Sequence, residues 1–395
     1  MKISTLMKII KNVNTKKNKT TKKHIFIFEN SKAPHETSLI SAMKMFKHLG
    51  FNVTFCLNAK AALRITDLSP VHIDVIIVDG GFWLAPFFKV FRKNDFVFFN
   101  TISMRSLFVT CIVSIMSKNR IFFLRNINSW LYWPEKNGIS LKNIVMGATL
   151  HSVKVILMKW PCYFAVGSFN MKNYLSLSAG RSSFVVPFNM GENKMATDSF
   201  GGIYNFVIPG VIDLSRKDLT RIKEASLLFD QRYTSKFKII LLGYPSTKLD
   251  WDFVLEWKRE LGDALSYYDS FIDDVEFDKV LRNADIVMGV LKENYQDKYG
   301  NREVYGRSKD TGVEAHALAY TKPLFVNSEY EVDEHMRSST ITFTTAQGCF
   351  STMKGLIDED IKFCISDLFF ERDSYGLENL SKGMMEVIKS DLYHE

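Results

Sequence analysis

The chain predicts an α/β fold built from two doubly wound, Rossmann-like domains. From residue 24, short apolar runs alternate with amphipathic ones, the pattern of βαβ units and a parallel sheet. The alternation breaks at 189–205 into polar sequence containing Gly191, Gly201 and Gly202. A second alternation then starts at residue 206. At 395 residues, two domains are also the natural expectation.

In order, residues 24–28 read as a strand and 36–49 as a helix with apolar residues at helical spacing. Residues 53–56 and 75–78 read as strands, the second ending in Asp79-Gly80-Gly81. Strands at 95–100 and 121–124 flank a helix at 106–117. A strand at 163–167, a helix at 170–178 and a strand at 184–187 complete the first set. In the second half, a strand at 206–208 ends in Pro209-Gly210 and leads to a helix at 217–229. A strand at 237–242 ends in Gly243 and leads to a helix at 250–261. A short strand at 266–269, a helix at 275–283 and a strand at 286–290 follow. Residues 292–301 read as a polar loop, and a helix at 311–319 leads to a strand at 324–326. A last helix, 377–389, has no strand after it. The predicted organisation is a basic tail (1–23), a first domain (24–190), a linker (191–204), a second domain (205–370) and a C-terminal helix segment (371–395).

The formal net charge of +8 is unevenly spread. Residues 1–23 hold eight lysines and no acid. Residues 24–199 carry 19 basic and 9 acidic side chains, and residues 200–395 carry 24 and 34. The first half therefore favours anionic surfaces, such as an anionic membrane or a phosphate-bearing acceptor. Nucleic acid is not expected, because the basic residues do not gather into a recognisable binding element. The lysine-rich tail runs straight into a strand-like segment with no small-residue cleavage site, so a secretory signal is not expected. The longest apolar run, Leu107–Met116, is shorter than the roughly 18–20 residues that cross a bilayer and is flanked by Arg105 and Lys118. The expected location is cytoplasmic, soluble or peripheral at the inner face of the cell membrane. Cys56, Cys111, Cys162, Cys349 and Cys364 have neither pairing nor metal-like spacing, so they read as small apolar residues in a reducing compartment. No metal site and no resident cofactor are expected.

The densest local signal is at 307–327. Ser308, Lys309, Thr311 and Gly312 stand where a helix begins, and Lys322-Pro323 stands where the next strand starts. Free N–H groups and a partial positive charge at a helix N-terminus suit a diphosphate, and Arg307 and Lys309 adjoin it. Arg216 and Lys217 open a second helix after Gly210, where cations fit the helix dipole poorly unless an anion is bound. Gly210 and Gly243, each closing a strand, permit tight turns and close ligand approach.

Two successive Rossmann-like domains joined near the middle resemble the GT-B architecture of nucleotide-sugar glycosyltransferases, two doubly wound domains facing a cleft. The resemblance is most specific over 205–326. Phe206-Val207-Ile208-Pro209-Gly210 followed by Arg216-Lys217-Asp218 is similar to the donor-side loop that sets a basic pair on the diphosphate. Phe271-Ile272, Glu276-Phe277, Leu281 and Ala284-Asp285-Ile286 resemble the segment facing the nucleobase, with its helix and strand; Tyr268 and Ile272 are the base-lining candidates. Thr311-Gly312, His316 and Lys322-Pro323 resemble the helix that binds diphosphate and ribose. In many retaining members, glutamates stand seven residues before that proline and eight residues earlier still. Here those places are His316 and Ser308, so the resemblance implies no anomeric outcome.

The resemblance implies a metal-independent glycosyltransferase of hexosyltransferase type. It would use a nucleotide-sugar as co-substrate and a glycan acceptor, lipid-linked, in surface-polysaccharide assembly such as capsule or O-antigen. Transfer to a hydroxyl needs a base; His35 and Glu36, after the first strand, and Asp79 are candidates. Arg125, after another strand, is a candidate for an acceptor phosphate. A nucleotide-sugar epimerase of similar shape and a non-catalytic glycan-assembly scaffold remain alternatives.

Overall fold

A computed structural model describes residues 23–29, 31, 36–68, 73–78, 87, 90–92, 94–104, 106–136, 138–188, 190, 202–292, 294–363 and 372–390. His35 and Asp79 lie outside these residues, as does the side chain of Glu36. The described chain forms two compact units.

Unit 1 comprises residues 1–190, 296–303 and 377–395. Its elements, in chain order, begin with β1 (His24–Glu29), α1 (Glu36–His48), β2 (Asn52–Leu57), α2 (Ala59–Leu68) and β3 (Asp74–Ile77). They continue with β4 (Phe96–Phe99), α3 (Leu107–Met116), β5 (Asn119–Leu124), α4 (Asn128–Leu131) and α5 (Leu141–Lys159). β6 (Tyr163–Val166), α6 (Phe169–Ala179) and β7 (Ser183–Val185) close the set. The seven strands pair in parallel in the order β3-β2-β1-β4-β5-β6-β7. Both faces of such a sheet are covered, which is why its strands are continuous apolar runs rather than alternating ones. Phe26, Phe55, Phe98 and Phe122 are fully buried.

Unit 2 comprises residues 191–295 and 304–376. Its elements are β8 (Tyr204–Pro209), α7 (Leu219–Leu227), β9 (Phe237–Leu242), α8 (Lys248–Leu261), β10 (Leu265–Tyr267), α9 (Asp274–Arg282) and β11 (Ile286–Gly289). A hairpin of β12 (Asn294–Gln296) and β13 (Arg302–Val304) follows. Then come α10 (Gly312–Tyr320), β14 (Leu324–Asn327), β15 (Thr340–Phe343) and α11 (Ala346–Ile357). The parallel sheet has the order β10-β9-β8-β11-β14-β15. Its core joins Trp257, Phe206, Phe237, Leu241 and Met288.

The expected second domain is interrupted in sequence. Residues 205–370 are not one continuous unit, because 296–303 belong to unit 1. The polar stretch 292–301 is part of a hairpin, and its tip is anchored by specific contacts. The Glu135 amide donates to the Gly300 carbonyl at 2.9 Å. A Cβ on Gly300 would lie 2.1 Å from the Glu135 carbonyl oxygen. The last helix, α12 (Leu377–Ser390), packs on β7 and α1 in unit 1.

The same tip brings Glu303 into a buried network. Its fully buried carboxylate accepts from the amides of Ser129 (3.0 Å) and Asn128 (3.3 Å). Lys154 Nζ donates to Ser129 Oγ at 2.7 Å. Burial pulls the Lys154 ammonium down to about 8, while Glu303 and Asp297 work the other way. Glu303→Ala would leave two amides without their acceptor and Lys154 with Asp297 as its remaining acidic neighbour. We expect it to cost about 3–5 kcal/mol, read as a lower denaturant midpoint at unchanged m-value.

Candidate functional site

In doubly wound sheets, ligands bind outside the carboxyl ends of the strands, where strand order reverses. In unit 2 that point lies between β8 and β11. β8 ends in Pro209, and Gly210 turns the chain with φ of 86°, a region open to glycine at little cost. Beyond the strands, the loops after β8 and β9 stay paired: Gly210 N donates to Leu242 O, and Ile212 N to Tyr244 O. The approach is so close that a Cβ on Gly243 would sit 2.2 Å from the Gly210 carbonyl oxygen. Gly243→Ala therefore has to push the two loops apart. We expect a loss of about 2–4 kcal/mol, visible as a fall in melting temperature.

Lys217 fixes this turn from inside. Its Nζ donates to the carbonyls of Pro209 (2.9 Å) and Gly210 (2.8 Å). Burial, with Arg216 adding repulsion, pulls its pKa down to about 7. The amide of Asp218 donates to Val290 O, and that of Lys292 to Arg216 O, tying the loop to the end of β11. Of the basic pair foreseen here, Lys217 points at backbone carbonyls and serves the loop. Arg216 is exposed. Its Nε donates to Tyr305 Oη at 3.1 Å, and its guanidinium lies 5.4 Å from the Tyr295 ring centroid. Burial opposes the Arg216 charge, but Tyr305, Tyr295 and Asp213 outweigh it and hold the pKa above its usual value.

Lys309 lies over the same aromatic pair, 5.1 Å from the centroid of Tyr295 and 5.9 Å from that of Tyr305. Two cations are thus held against two tyrosine rings 5.7 Å apart. The chain then reaches Thr311, the N-cap of α10, whose hydroxyl accepts from Val313 N at 3.3 Å. Gly312 is the first helical residue. In the first turn, Glu314 is buried. Burial, then Asp333, pushes its carboxyl up to about 8, so it is largely neutral at pH 7. A neutral acid leaves the positive end of the helix unopposed.

The other residues foreseen for this site fall as follows. Arg307 is exposed and paired with Glu331 at 2.7 Å. Ser308 is fully buried, and its Oγ accepts from Val304 N at 2.9 Å, so its hydroxyl serves the turn and does not face solvent. The His316 ring packs 5.2 Å from that of Phe277. Tyr268 Oη donates to Glu276 Oε1 at 3.0 Å; burial, then Glu276, pushes the phenol up to about 12. Ile272 is half-buried, whereas its neighbour Phe271 is 67% exposed.

A hollow of about 650 Å³ opens between the loops after β8 and β9, lined by Asp213, Ser215, Lys217, Asp218, Thr247 and Lys292 among others. Behind it, Asn327 at the end of β14 accepts from Leu291 N and donates to Leu291 O. It also donates to Glu329, which Arg221 grips at 3.0 and 3.1 Å. Sequence reasoning missed Tyr295, Tyr305, Asn327 and Glu329. The only cue for Asn327 was a polar residue closing an apolar strand.

In unit 1 the corresponding reversal lies between β1 and β4. Glu29, not singled out from sequence, is fully buried there. It accepts from Ser31 N (2.8 Å), Asn100 Nδ2 (2.6 Å) and Thr101 Oγ1 (2.7 Å). Asn100 Oδ1 accepts in turn from Ser38 Oγ and Arg125 Nη2, each at 3.2 Å. Arg125 also donates to Ser38 Oγ and lies over the rings of Phe123 and Phe188. Its guanidinium is thus held in place by this network.

No protein-family model matches the chain, and no curated protein sequence matches it. Solved structures do. A glycosyltransferase from Rickettsia africae is 11% identical over 95% of this chain and 100% of its own, with a TM-score of 0.61. Anabaena HepE, solved in complex with UDP-glucose, is 13% identical over 93% of this chain and 99% of its own, with a TM-score of 0.61. WaaG, a glycosyltransferase involved in lipopolysaccharide biosynthesis, is 9% identical over 92% of this chain and 98% of its own, with a TM-score of 0.56. At these identities the likeness is one of fold. The chain has the two-domain, Rossmann-like GT-B fold of those glycosyltransferases.

Proposed function

We propose that the protein is a glycosyltransferase that takes a sugar from a nucleotide diphosphate and passes it to a glycan acceptor. The observation that carries this is the convergence, at the reversal point of the unit 2 sheet, of Arg216, Lys309 and the N-terminus of α10. Two full charges and the free N–H of Gly312 suit a pyrophosphate, whose oxygens need several donors at once. In the same reading, the hollow lined by Asp213, Ser215, Thr247 and Lys292 takes the sugar. A ring as exposed as Phe271, next to Ile272, suits stacking on the base. As the diphosphate departs, the guanidinium and ammonium meet the charge that develops on it. Their fixed seats on the tyrosine pair mean little reorganisation is needed. His35, Glu36 and Asp79 remain the candidates for the base that takes the acceptor's proton, and Arg125 for an acceptor phosphate.

The fold is shared with proteins solved with UDP-glucose or involved in lipopolysaccharide biosynthesis, which supports a surface-glycan acceptor; a lipid-linked acceptor met at the cytoplasmic membrane face is part of the same proposal. The reading is tested by incubating the purified chain with a panel of nucleotide-sugars and following release of the nucleoside diphosphate. Release with one donor, raised by an added glycan acceptor, is expected. Tight donor binding with no release under any acceptor would instead leave a non-catalytic scaffold.

A further inference from the structure

On β13 and just beyond it, a buried carboxylate and a buried phenol stand two residues apart. Glu303 is fully buried and accepts from the successive amides of Asn128 and Ser129, at 3.3 and 3.0 Å. The Asn128 side chain reaches back to the same strand, its Nδ2 donating to the Arg302 carbonyl at 2.9 Å. Tyr305 is 2% exposed, and its hydroxyl accepts from Arg216 Nε at 3.1 Å.

The chain that joins them is stiff. The Val304 carbonyl accepts from the amides of Arg307, Ser308 and Lys309, and the Val304 amide donates to Ser308 Oγ. The Gly306 amide donates to the Lys309 carbonyl. Gly306 has a φ of 81°, and a Cβ there would lie 2.1 Å from the Glu331 carbonyl oxygen. Residues 304–309 are thus a closed turn held close to a neighbouring segment. A shift of Glu303 along β13 moves Val304, and with it the phenol that seats Arg216 and the backbone that carries Lys309. Stability is a weak reason for a carboxylate at this spot, because desolvation offsets much of its attraction. A charged acceptor of two amides does fix a position, since charge-assisted hydrogen bonds are short and geometrically specific.

We infer that Glu303 is a positioning residue for the diphosphate cations: its seat on the Asn128 and Ser129 amides sets Tyr305, and Tyr305 sets Arg216. The inference rests on the pyrophosphate reading of the Arg216 and Lys309 corner, and adds to it a residue that touches no ligand.

The test is titration calorimetry of the full chain with inorganic pyrophosphate, at a temperature where every variant is folded. Tyr305→Phe is expected to weaken binding roughly fivefold, the net effect of one hydrogen bond. Glu303→Gln keeps the shape but turns a donor toward one of the two amides, and a loss on the same order is expected. In the double variant the two losses are expected not to multiply, because both act through one hydroxyl. A second reading needs no ligand. The Arg216 Nε–H resonance, identified by its disappearance in Arg216→Lys, is expected to move in Glu303→Gln toward its position in Tyr305→Phe. Should Glu303→Gln misfold, Arg302→Glu sets like charge against Glu135, now the partner of Arg302 at 2.9 Å, and displaces the same strand without touching the buried carboxylate; it is expected to move the resonance the same way. A lowered melting temperature with parent affinity and an unmoved resonance would overturn the inference, leaving Glu303 a purely structural residue. Losses that multiply in the double variant would do the same. A parent chain that binds pyrophosphate no better than Arg216→Glu would instead sink the pyrophosphate reading, and the resonance would still decide whether Glu303 sets Arg216.

Discussion

Arg216→Glu is expected to weaken nucleotide-sugar binding on the order of a hundredfold or more while leaving the melting temperature nearly unchanged. The side chain is exposed, and it contributes a hydrogen bond to Tyr305 and a position over Tyr295 rather than core packing. Charge-assisted hydrogen bonds to phosphate are worth roughly 1.5–3 kcal/mol. Reversal adds repulsion to that loss, and each ~1.4 kcal/mol is tenfold in affinity. Arg216→Lys separates the contributions: it keeps the charge but loses the planar stacking and the fork of donors, so an intermediate loss is expected. Lys309→Glu is expected to resemble Arg216→Glu. Titration calorimetry with the best donor reads all three. Wild-type affinity in Arg216→Glu would remove the pyrophosphate from this corner.

The second large effect is on pH dependence and comes from Glu314. Its carboxyl is buried against Asp333 and Asp310 and is pushed up to about 8, from 4.5 when exposed. Between those values the folded chain holds a proton that the unfolded chain releases. This contribution to stability is therefore fully present below about 4.5 and is lost as pH rises toward 8, a span on the order of a few kcal/mol. Glu314→Gln keeps the shape and stays neutral. Its melting temperature is expected to be flatter with pH over that window and higher than that of the parent chain near pH 8. Donor binding follows the same switch. Above about pH 8 an ionised Glu314 in the first turn of α10 opposes the helix field, so affinity is expected to fall there in the parent chain and not in Glu314→Gln. Parallel pH profiles for the two chains would remove Glu314 from this role.

Much of the fold was legible because buried parallel strands are short, unbroken apolar runs that end in Gly or polar residues. All seven strands of the first sheet can be read in this way. α5 escaped because polar and apolar residues are mixed around Leu141–Lys159 and give no helical period. α11 escaped because Gly348 and Gly355 read as loop, and β15 because Thr340–Phe343 follows a run of serines. At the site, Gly210, Gly243, Arg216 and Lys309 could be picked out by their place after strands or before a helix. Lys217 could not be told from Arg216 by sequence, since only burial shows which of the two turns inward. Tyr295 lies inside the stretch 292–301 that reads as polar loop and Tyr305 lies beyond it, and their pairing exists only once the hairpin has closed. Glu29 looked like the ordinary end of a strand, and its three donors come from positions that only the sheet order brings together.

The most direct test of the central claim is a crystal structure of the chain grown with UDP. The expected result is a diphosphate at the N-terminus of α10, its oxygens about 3 Å from Gly312 N and within reach of Arg216 and Lys309. Clear density for the nucleotide elsewhere, with α10 and both cations untouched, would contradict it.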